Sequence, residues 1–212
     1  MKILFISDTH GKHHKLSVPE ADLLIHAGDL SSRGTQEELR SFLDWFSALP
    51  HRHKVFVGGN HDFLLERQPG VFLEMVPANC IYLFNSSTEI EGIRIWGSPL
   101  TPWFFDWAFN RRRGGDIRRY WDRIPAGTDI LVTHGPPAGI LGKTARGDRA
   151  GCEDLLAVVQ QIRPKIHVFG HIHEAYGQLR QDGTHFINAS NLDLRYQVAH
   201  APVGVEWDSY QK

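Results

Sequence analysis

The sequence predicts an α/β fold, in which parallel strands are connected through helices and a later hairpin adds antiparallel strands. Two observations predict it. Short apolar runs typical of buried strands alternate with segments of helical periodicity, and an Asp-Gly turn separates two strand-like runs near the end of the chain. At 212 residues, 42% of them hydrophobic, the chain can bury a sizeable core and suits a single domain over residues 1–212.

The first half of the chain predicts three strands, with a helix between the second and the third. The strands are predicted at residues 2–6, 22–26 and 54–57. The helix is predicted to begin after Thr35, which forms a capping box with Glu38, and to stop at Pro50. Its apolar face consists of Leu39, Phe42, Leu43, Phe46 and Leu49. This order of elements favours parallel pairing of the strands.

The second half adds strands, one helix and one long irregular segment. Strands are predicted at residues 89–96, 129–132, 166–169 and 203–207, with a tight turn at residues 91–92 and a hairpin over residues 178–187. A helix is predicted over residues 152–162, and Pro164 blocks its continuation. Residues 97–115 show no regular pattern and are rich in Trp, Phe and Arg. A long irregular loop in a compact domain more often has a function than serves only as a connection.

The composition excludes several classes of function. Lys and Arg number 23 against 24 Asp and Glu, so the chain lacks the basic excess that strong binding to nucleic acid or to an anionic membrane needs. Cys80 and Cys152 lack a C-x-x-C spacing, which fits a reducing compartment. No apolar stretch is long enough for a signal peptide or a membrane span, so we expect a cytoplasmic protein. The oligomeric state stays open, and a homo-oligomer is one alternative.

Asp, Asn or His residues follow five of the predicted strands at the point where each strand ends. The segments are residues 7–10, 27–29, 58–62, 133–135 and 170–173. In open α/β sheets, ligands bind beyond the carboxyl ends of the strands. Each segment alone is a weak signal, because Gly, Asp and Asn are common in turns. Five such coincidences at strand ends favour one shared site over five unrelated turns.

These residue types suit metal ions. Two divalent ions about 3.5–4 Å apart need a bridging anion and several outer ligands, and Asp29 is the candidate bridge. Imidazole and carboxylate ligands favour Mn, Fe or Zn, and the absence of Cys from these segments argues against a thiolate zinc site. A neutral Asn60 keeps the site net positive, which favours an anionic phosphate. We therefore predict a phosphoester hydrolase that holds two metal ions and acts on a small phosphoester substrate.

In these segments the chain resembles the calcineurin-like metallophosphoesterase family. The residues that carry the resemblance are Asp8-x-His10, Gly28-Asp29, Gly59-Asn60-His61-Asp62, His134-Gly135 and Gly170-His171-x-His173. Residues 24–29 and 167–174 are similar to the metallophosphoesterase-domain-containing phosphodiesterases of that family. The resemblance implies a four-layer α/β/β/α sandwich of two mixed sheets, with a dinuclear site at one edge.

The resemblance also implies roles for individual residues. The metal ligands would be Asp8, His10 and His173 for one ion and Asn60, His134 and His171 for the other, with Asp29 bridging both. His61 would be a catalytic histidine that does not bind metal, oriented by Asp62. The implied reaction is attack on phosphorus by a hydroxide that bridges the two ions. By resemblance only, the favoured substrate is a phosphodiester such as a cyclic nucleotide.

Two substrate contacts and the type of ester stay open. Arg33 falls where protein phosphatases of the wider superfamily carry a phosphate-binding Arg, and a solvated Arg before a turn is the alternative. Asn188 follows the last predicted hairpin and is a second candidate. The alternative functions are a phosphomonoesterase of the same superfamily and a metal-binding module with little turnover, although none of the seven ligands is missing.

Overall fold

Two mixed β-sheets pack face to face in the computed structural model, which describes residues 1–148 and 150–210. The strands are β1 (Lys2–Ile6), β2 (Leu23–His26), β3 (His53–Phe56), β4 (Ile81–Tyr82), β5 (Ser86–Ile90), β6 (Ile93–Ser98), β7 (Thr101–Pro102), β8 (Asn110–Arg111), β9 (Ile130–Thr133), β10 (Ile166–Phe169), β11 (Gly177–Gln181), β12 (Thr184–Asn188) and β13 (Val203–Glu206). The α-helices are α1 (Gln36–Ala48), α2 (Phe63–Arg67), α3 (Pro69–Met75), α4 (Gly115–Trp121) and α5 (Glu153–Ile162).

Each sheet has a parallel centre; the first has one antiparallel edge and the second has two. The first has the order β13-β1-β2-β3-β4, with β13 antiparallel to β1 and the other pairs parallel. The second has the order β11-β12-β10-β9-β6-β5, with antiparallel hairpins at both edges. The parallel strands therefore deliver their carboxyl ends to one side of the molecule.

Alternate residues of each strand face two different apolar layers. Ile3 and Phe5 of β1 pack between the sheets with residues such as Ile130 and Val168 of the second sheet. Leu4 and the other intervening residues face outward, under the helices. This period of two explains why the central strands are apolar on both faces.

Helices cover the outer face of each sheet and complete the α/β/β/α arrangement. Phe42 and Phe46 of α1 contact Phe56 of β3, with ring centroids 5.9 and 5.8 Å apart. On the second sheet, Trp121 of α4 contacts Trp96 of β6, and α4 packs beside α5. The predicted fold class is confirmed.

The strands and long helices were predicted better than the short helices. The capping box at Thr35 is present, and the hairpin predicted over residues 178–187 is formed by β11 and β12. The single strand predicted over residues 89–96 is instead a hairpin of β5 and β6. Helices α2, α3 and α4 were missed because each is at most seven residues long and leaves no clear period. The predicted loop over residues 97–115 contains the short strands β7 and β8.

Among the described residues, no helix has the length and apolar character needed to span a bilayer.

Two buried histidines hold threonines beside the strand ends. His26 Nε2 lies 3.0 Å from Thr9 Oγ1, and His167 Nε2 lies 2.9 Å from Thr133 Oγ1. Thr133 Oγ1 itself donates to the carbonyl oxygen of Gly135, so His167 is the donor to Thr133. Burial lowers the pKa of both imidazoles to about 3. Both rings are therefore neutral at physiological pH.

The first prediction concerns stability against pH. An unfolded chain takes up a proton on His167 near pH 6.5, whereas the folded chain takes it up only near pH 3. Between these values the unfolded state binds more protons, so stability falls as pH falls. His167→Gln keeps a donor for Thr133 and does not titrate. In the His167→Gln variant, the decrease in unfolding free energy from pH 7.5 to pH 5 should be smaller by about 2 kcal/mol.

Urea unfolding at the two pH values measures this difference. The exposed His14 provides the control. In His14→Gln, the decrease in unfolding free energy between the two pH values should be close to that of the unmodified chain. An equal loss in His167→Gln and the unmodified chain would show that His167 does not titrate as its burial requires.

Candidate metal centre

The seven predicted ligands meet where the carboxyl ends of five parallel strands face each other. Three strands of the first sheet, β1, β2 and β3, and two of the second, β9 and β10, end there. The ligand-type side chains form three overlapping groups whose ligand atoms lie within 4.8 Å of one another: Asp8 with His10 and His173, His10 with Asp29 and His61, and Asp29 with His134 and His171. Both sheets therefore contribute to one site.

The first group consists of Asp8, His10 and His173. Nε2 of His10 and Nε2 of His173 are 3.2 Å apart. Oδ1 of Asp8 lies 3.5 Å from Nε2 of His173 and 3.9 Å from Nε2 of His10. Two ring nitrogens and a carboxylate oxygen thus converge on one point, as the ligands of a transition-metal ion do.

The second group is joined to the first through Asp29. Its Oδ2 lies 3.5 Å from Nε2 of His10 and 3.3 Å from Nε2 of His134. Nε2 of His134 is also 2.9 Å from Oδ1 of Asn60. The same carboxylate oxygen therefore faces a ligand of each predicted ion.

Hydrogen bonds at the far side of the rings orient the ligands. Nδ1 of His134 donates to the carbonyl oxygen of Ala27 at 3.0 Å, and Nδ1 of His173 donates to that of Asp193 at 3.1 Å. In the neutral ring this leaves the Nε2 lone pair directed into the cluster, which is the arrangement of metal-binding histidines. Nitrogen lone pairs that face each other repel unless a proton or a cation lies between them. The donor set therefore fits metal ions.

The ligand loops adopt left-handed backbone conformations. Asp8, His10, Asp29 and His171 have φ of 55°, 42°, 55° and 69°. Residues other than glycine rarely occupy this region, and such outliers concentrate at functional sites. Gly170 has a different role, since a Cβ there would overlap the carboxylate of Asp8. It lets the backbone N–H of His171 donate to both oxygens of Asp8, at 3.0 and 3.1 Å.

The charges of the site perturb its pKa values in opposite directions. Burial alone would raise the pKa of Asp8, but the hydrogen bond and charge of His173 outweigh it and hold the pKa well below its usual range. Burial would lower the pKa of His173 and His134, but Asp8 and Asp29 raise both to about 9. Metal ions must displace these protons, so metal affinity should fall with falling pH.

His61 lies at the edge of the site, and Asp62 does not orient it. Nδ1 of His61 donates to the carbonyl oxygen of Ser32 at 2.8 Å, and its backbone N–H donates to Oδ1 of Asp29 at 2.8 Å. The carboxylate of Asp62 instead accepts from the backbone N–H groups of Leu30, Ser31 and Gly59 and from Ser31 Oγ. The predicted contact from Asp62 to His61 is wrong, because the loop after Asp29 occupies that carboxylate. Asp62 supports the backbone of the site.

Neither predicted substrate contact reaches the cavity. Arg33 is exposed and lies outside the residues that line it. Asn188 is fully buried, and its Nδ2 donates to the carbonyl oxygens of Leu141 and Ile172. Its Oδ1 accepts from the backbone N–H of Ser190. Asn188 therefore fixes the segment between His171 and His173 and has no free polar group for a substrate.

Sequence reasoning missed several residues beside the ligands. Oγ of Ser190 donates to Oδ2 of Asp8 at 2.8 Å, and the strand-end argument applied to β12 would have found it. Trp107 lies against His61, with ring centroids 4.3 Å apart. Tyr196 contacts the rings of both His10 and His173. These two aromatic residues lie on irregular segments, where no periodicity marks them.

Comparisons with known proteins agree with this geometry. A family model described as calcineurin-like phosphoesterase matches residues 1–175. The chain is 36% identical over 229 residues to metallophosphoesterase domain-containing protein 1 of Homo sapiens, covering 97% of this chain and 70% of that protein. It is 25% identical to a 3′,5′-cyclic-nucleotide phosphodiesterase of Nostoc sp., covering 84% of this chain and 65% of that protein.

Among solved structures, the fold is similar to that of phosphopantetheinyl hydrolase from Mycobacterium tuberculosis. The TM-score is 0.61 at 17% identity, over 89% of this chain and 88% of that one. The matches and the site agree, and the chain belongs to the calcineurin-like phosphoesterase family, a family of metal-dependent phosphoester hydrolases.

Proposed function

We propose that this chain is a phosphodiesterase with a dinuclear metal centre. The observation that carries the proposal is the position of Asp29, whose Oδ2 faces His10 on one side and His134 on the other. A single-ion site needs no carboxylate shared between two groups of ligands, whereas a two-ion site does.

The ligands suit Mn, Fe or Zn. Asp8, His10 and His173 would hold one ion, Asn60, His134 and His171 the other, and Asp29 both. When bound, such ions supply Lewis acidity and lower the pKa of a coordinated water towards neutrality. Two divalent cations against two carboxylates leave the site net positive, which favours an anionic ester.

The lining of the cavity favours a diester over a monoester. The described residues around it include no Lys or Arg. A phosphomonoester carries a second negative charge, which a phosphatase commonly meets with basic side chains. A diester carries one charge and a second organic group, for which Phe104 and Trp107 provide apolar surface. The cyclic-nucleotide phosphodiesterase among the relatives supports the same choice.

His61 is suited to proton transfer. Its Nδ1 is occupied by the carbonyl oxygen of Ser32, so Nε2 is the atom that can hold or release a proton. Protonated His61 would stabilise charge on the phosphoryl group or give its proton to the leaving oxygen. The grouping of His61 with His10 and Asp29 leaves a role as metal ligand as the alternative.

Phosphomonoesterase activity is the second candidate function, and the diester comparison below decides between the two. Cytoplasmic location stays a prediction from the sequence, and the oligomeric state stays open.

The second prediction concerns metal content. Purified protein should carry up to two transition-metal ions per chain and should lose activity to chelators. Asp29→Ala should lower the metal content more than substitution of any other single ligand, because Asp29 serves both ions. Elemental analysis measures this, with the exposed Asp44→Ala as the control of equal charge change. Full activity in metal-free protein would contradict the proposal.

The third prediction separates catalyst from ligand. His61→Asn should keep its metal and slow turnover by about 10²–10⁴-fold, the usual loss for an acid–base group. The loss should shrink for a p-nitrophenolate leaving group, which needs little protonation. His134→Asn should lose metal and activity together. Metal analysis and kinetics on both variants distinguish the two roles. If His61→Asn loses as much metal as His134→Asn, His61 is a metal ligand.

The fourth prediction concerns the type of ester. With Mn²⁺, kcat/KM for bis-p-nitrophenyl phosphate should exceed that for p-nitrophenyl phosphate by about tenfold or more, or ~1.4 kcal/mol in transition-state stabilisation. Arg33→Ala should leave KM unchanged for both esters, because its side chain is exposed outside the cavity. A clear preference for the monoester would establish a phosphatase instead.

A further inference from the structure

The cavity beside the metal ligands is lined by polar and by aromatic side chains. It measures about 250 Å³. Its lining includes the ligands Asp29 and His171 and the aromatic residues Phe104, Trp107 and Tyr196. Pockets that hold drug-sized ligands start at about 300 Å³, so this cavity suits a phosphoryl group and one small organic group.

Phe104 belongs to a run of three exposed aromatic residues. Trp103, Phe104 and Phe105 are 58%, 61% and 65% exposed. Consecutive exposed aromatic side chains of this size are unusual on a folded protein and mark binding surfaces. Phe105 packs edge-on against Phe104, with ring centroids 4.4 Å apart, and so supports the ring that reaches the cavity.

Hydrogen bonds hold this aromatic segment, residues 103–107, in place. Nδ2 of Asn110 donates to the carbonyl oxygens of Phe104 and Phe105, at 3.2 and 2.8 Å. Oγ1 of Thr101 donates to Oδ1 of Asn110 at 3.1 Å. The carbonyl oxygen of Asn60, a predicted metal ligand, accepts from the backbone N–H of Ala108 at 3.0 Å. Ala108 follows the segment directly, so the end of the segment is held beside the metal centre.

One residue of the segment has a strained backbone. Phe105, next to Phe104, has a φ of 53°, which bulky residues rarely adopt. Such strain persists only where the surroundings impose it, and it concentrates at functional sites. Trp107 lies against His61, so the aromatic segment also contacts the candidate acid.

We propose that the aromatic segment is a binding site for a flat aromatic ring on the substrate, with Phe104 as the residue that determines specificity. The proposal rests on the proposed function. The phosphate of the diester would lie at the metal ligands, and the ester group that is not cleaved would place its ring on Phe104 and beside Trp107. The substrate class is a monoanionic phosphodiester with an aryl group or a nucleobase.

Three diesters with the same leaving group test the proposal. Methyl, cyclohexyl and phenyl p-nitrophenyl phosphate undergo the same chemical step and differ only in the retained group. Stacking on an aromatic side chain should lower KM for the phenyl ester about 5- to 150-fold below that of the methyl ester. The cyclohexyl ester, of similar size but not flat, should gain much less.

Substitutions at Phe104 test whether the preference for the phenyl ester depends on its ring. Phe104→Tyr should keep it, and Phe104→Leu, which keeps apolar surface without a ring, should bring the ratio of KM values for phenyl and cyclohexyl esters close to one. Leu73→Ala removes an exposed apolar side chain from α3, away from the cavity, and serves as the control. Equal KM values for cyclohexyl and phenyl esters in the unmodified protein would overturn ring stacking.

A binding measurement makes the proposal independent of turnover. AMP and ribose 5-phosphate share a phosphate and a ribose, and only AMP has a base. In calorimetry with Mn²⁺, AMP should bind about tenfold or more tightly, and Phe104→Leu should remove the difference. Failure of the proposed function would appear as absence of diester hydrolysis with the AMP preference intact. Hydrolysis of all three diesters with equal affinity for AMP and ribose 5-phosphate would overturn the aromatic site alone.

Discussion

The carboxylate of Asp29 is buried where the two sheets meet, and the rest of the site is arranged around it. A buried carboxylate is stable only when it is paired with positive charge and accepts hydrogen bonds. The backbone N–H of His61 donates to Oδ1, while Oδ2 lies 3.5 Å from Nε2 of His10 and 3.3 Å from Nε2 of His134. Bound metal ions would supply positive charge at this position without protonating the imidazoles, and would so stabilise the buried carboxylates of Asp8 and Asp29.

This electrostatic requirement determines the local backbone. The ligands must approach one another from five strand ends, and left-handed conformations at Asp8, His10, Asp29 and His171 make the approach possible. Gly170 allows the backbone of the second sheet to contact Asp8 of the first. Away from the site, α1 follows ordinary rules, with a capping box at its start and an apolar face on the sheet. Four of the non-glycine residues with positive φ are thus ligands of the proposed metal centre, as is common where function is imposed on an otherwise regular fold.

The sequence predicted those parts of the molecule that depend on local patterns. Apolar runs gave the central strands, and polar residues at the strand ends gave the ligands, because parallel strands bring their carboxyl ends together whatever the loops do. The short helices α2 and α3 leave too few residues for a period to be recognised.

Roles that depend on tertiary contacts were not predictable. Asp62 follows His61 in sequence, but the loop after Asp29 takes up its carboxylate. The side-chain amide of Asn188 donates to the carbonyl oxygens of Leu141 and Ile172. Phe104 and Trp107 line the cavity, and hydrogen bonds from Asn110 to Phe104 and from Ala108 to Asn60 hold the chain on either side of them. Each of these depends on a contact between residues on different elements, which a single sequence does not encode in any local pattern.

Anomalous diffraction from crystals grown with Mn²⁺ tests the central claim most directly. The account predicts two anomalous peaks about 3.5–4 Å apart, with the carboxylate of Asp29 between them. One peak should lie beside Asp8, His10 and His173, and the other beside Asn60, His134 and His171. A single peak at full Mn²⁺ occupancy, or two peaks that do not share Asp29, would contradict the account.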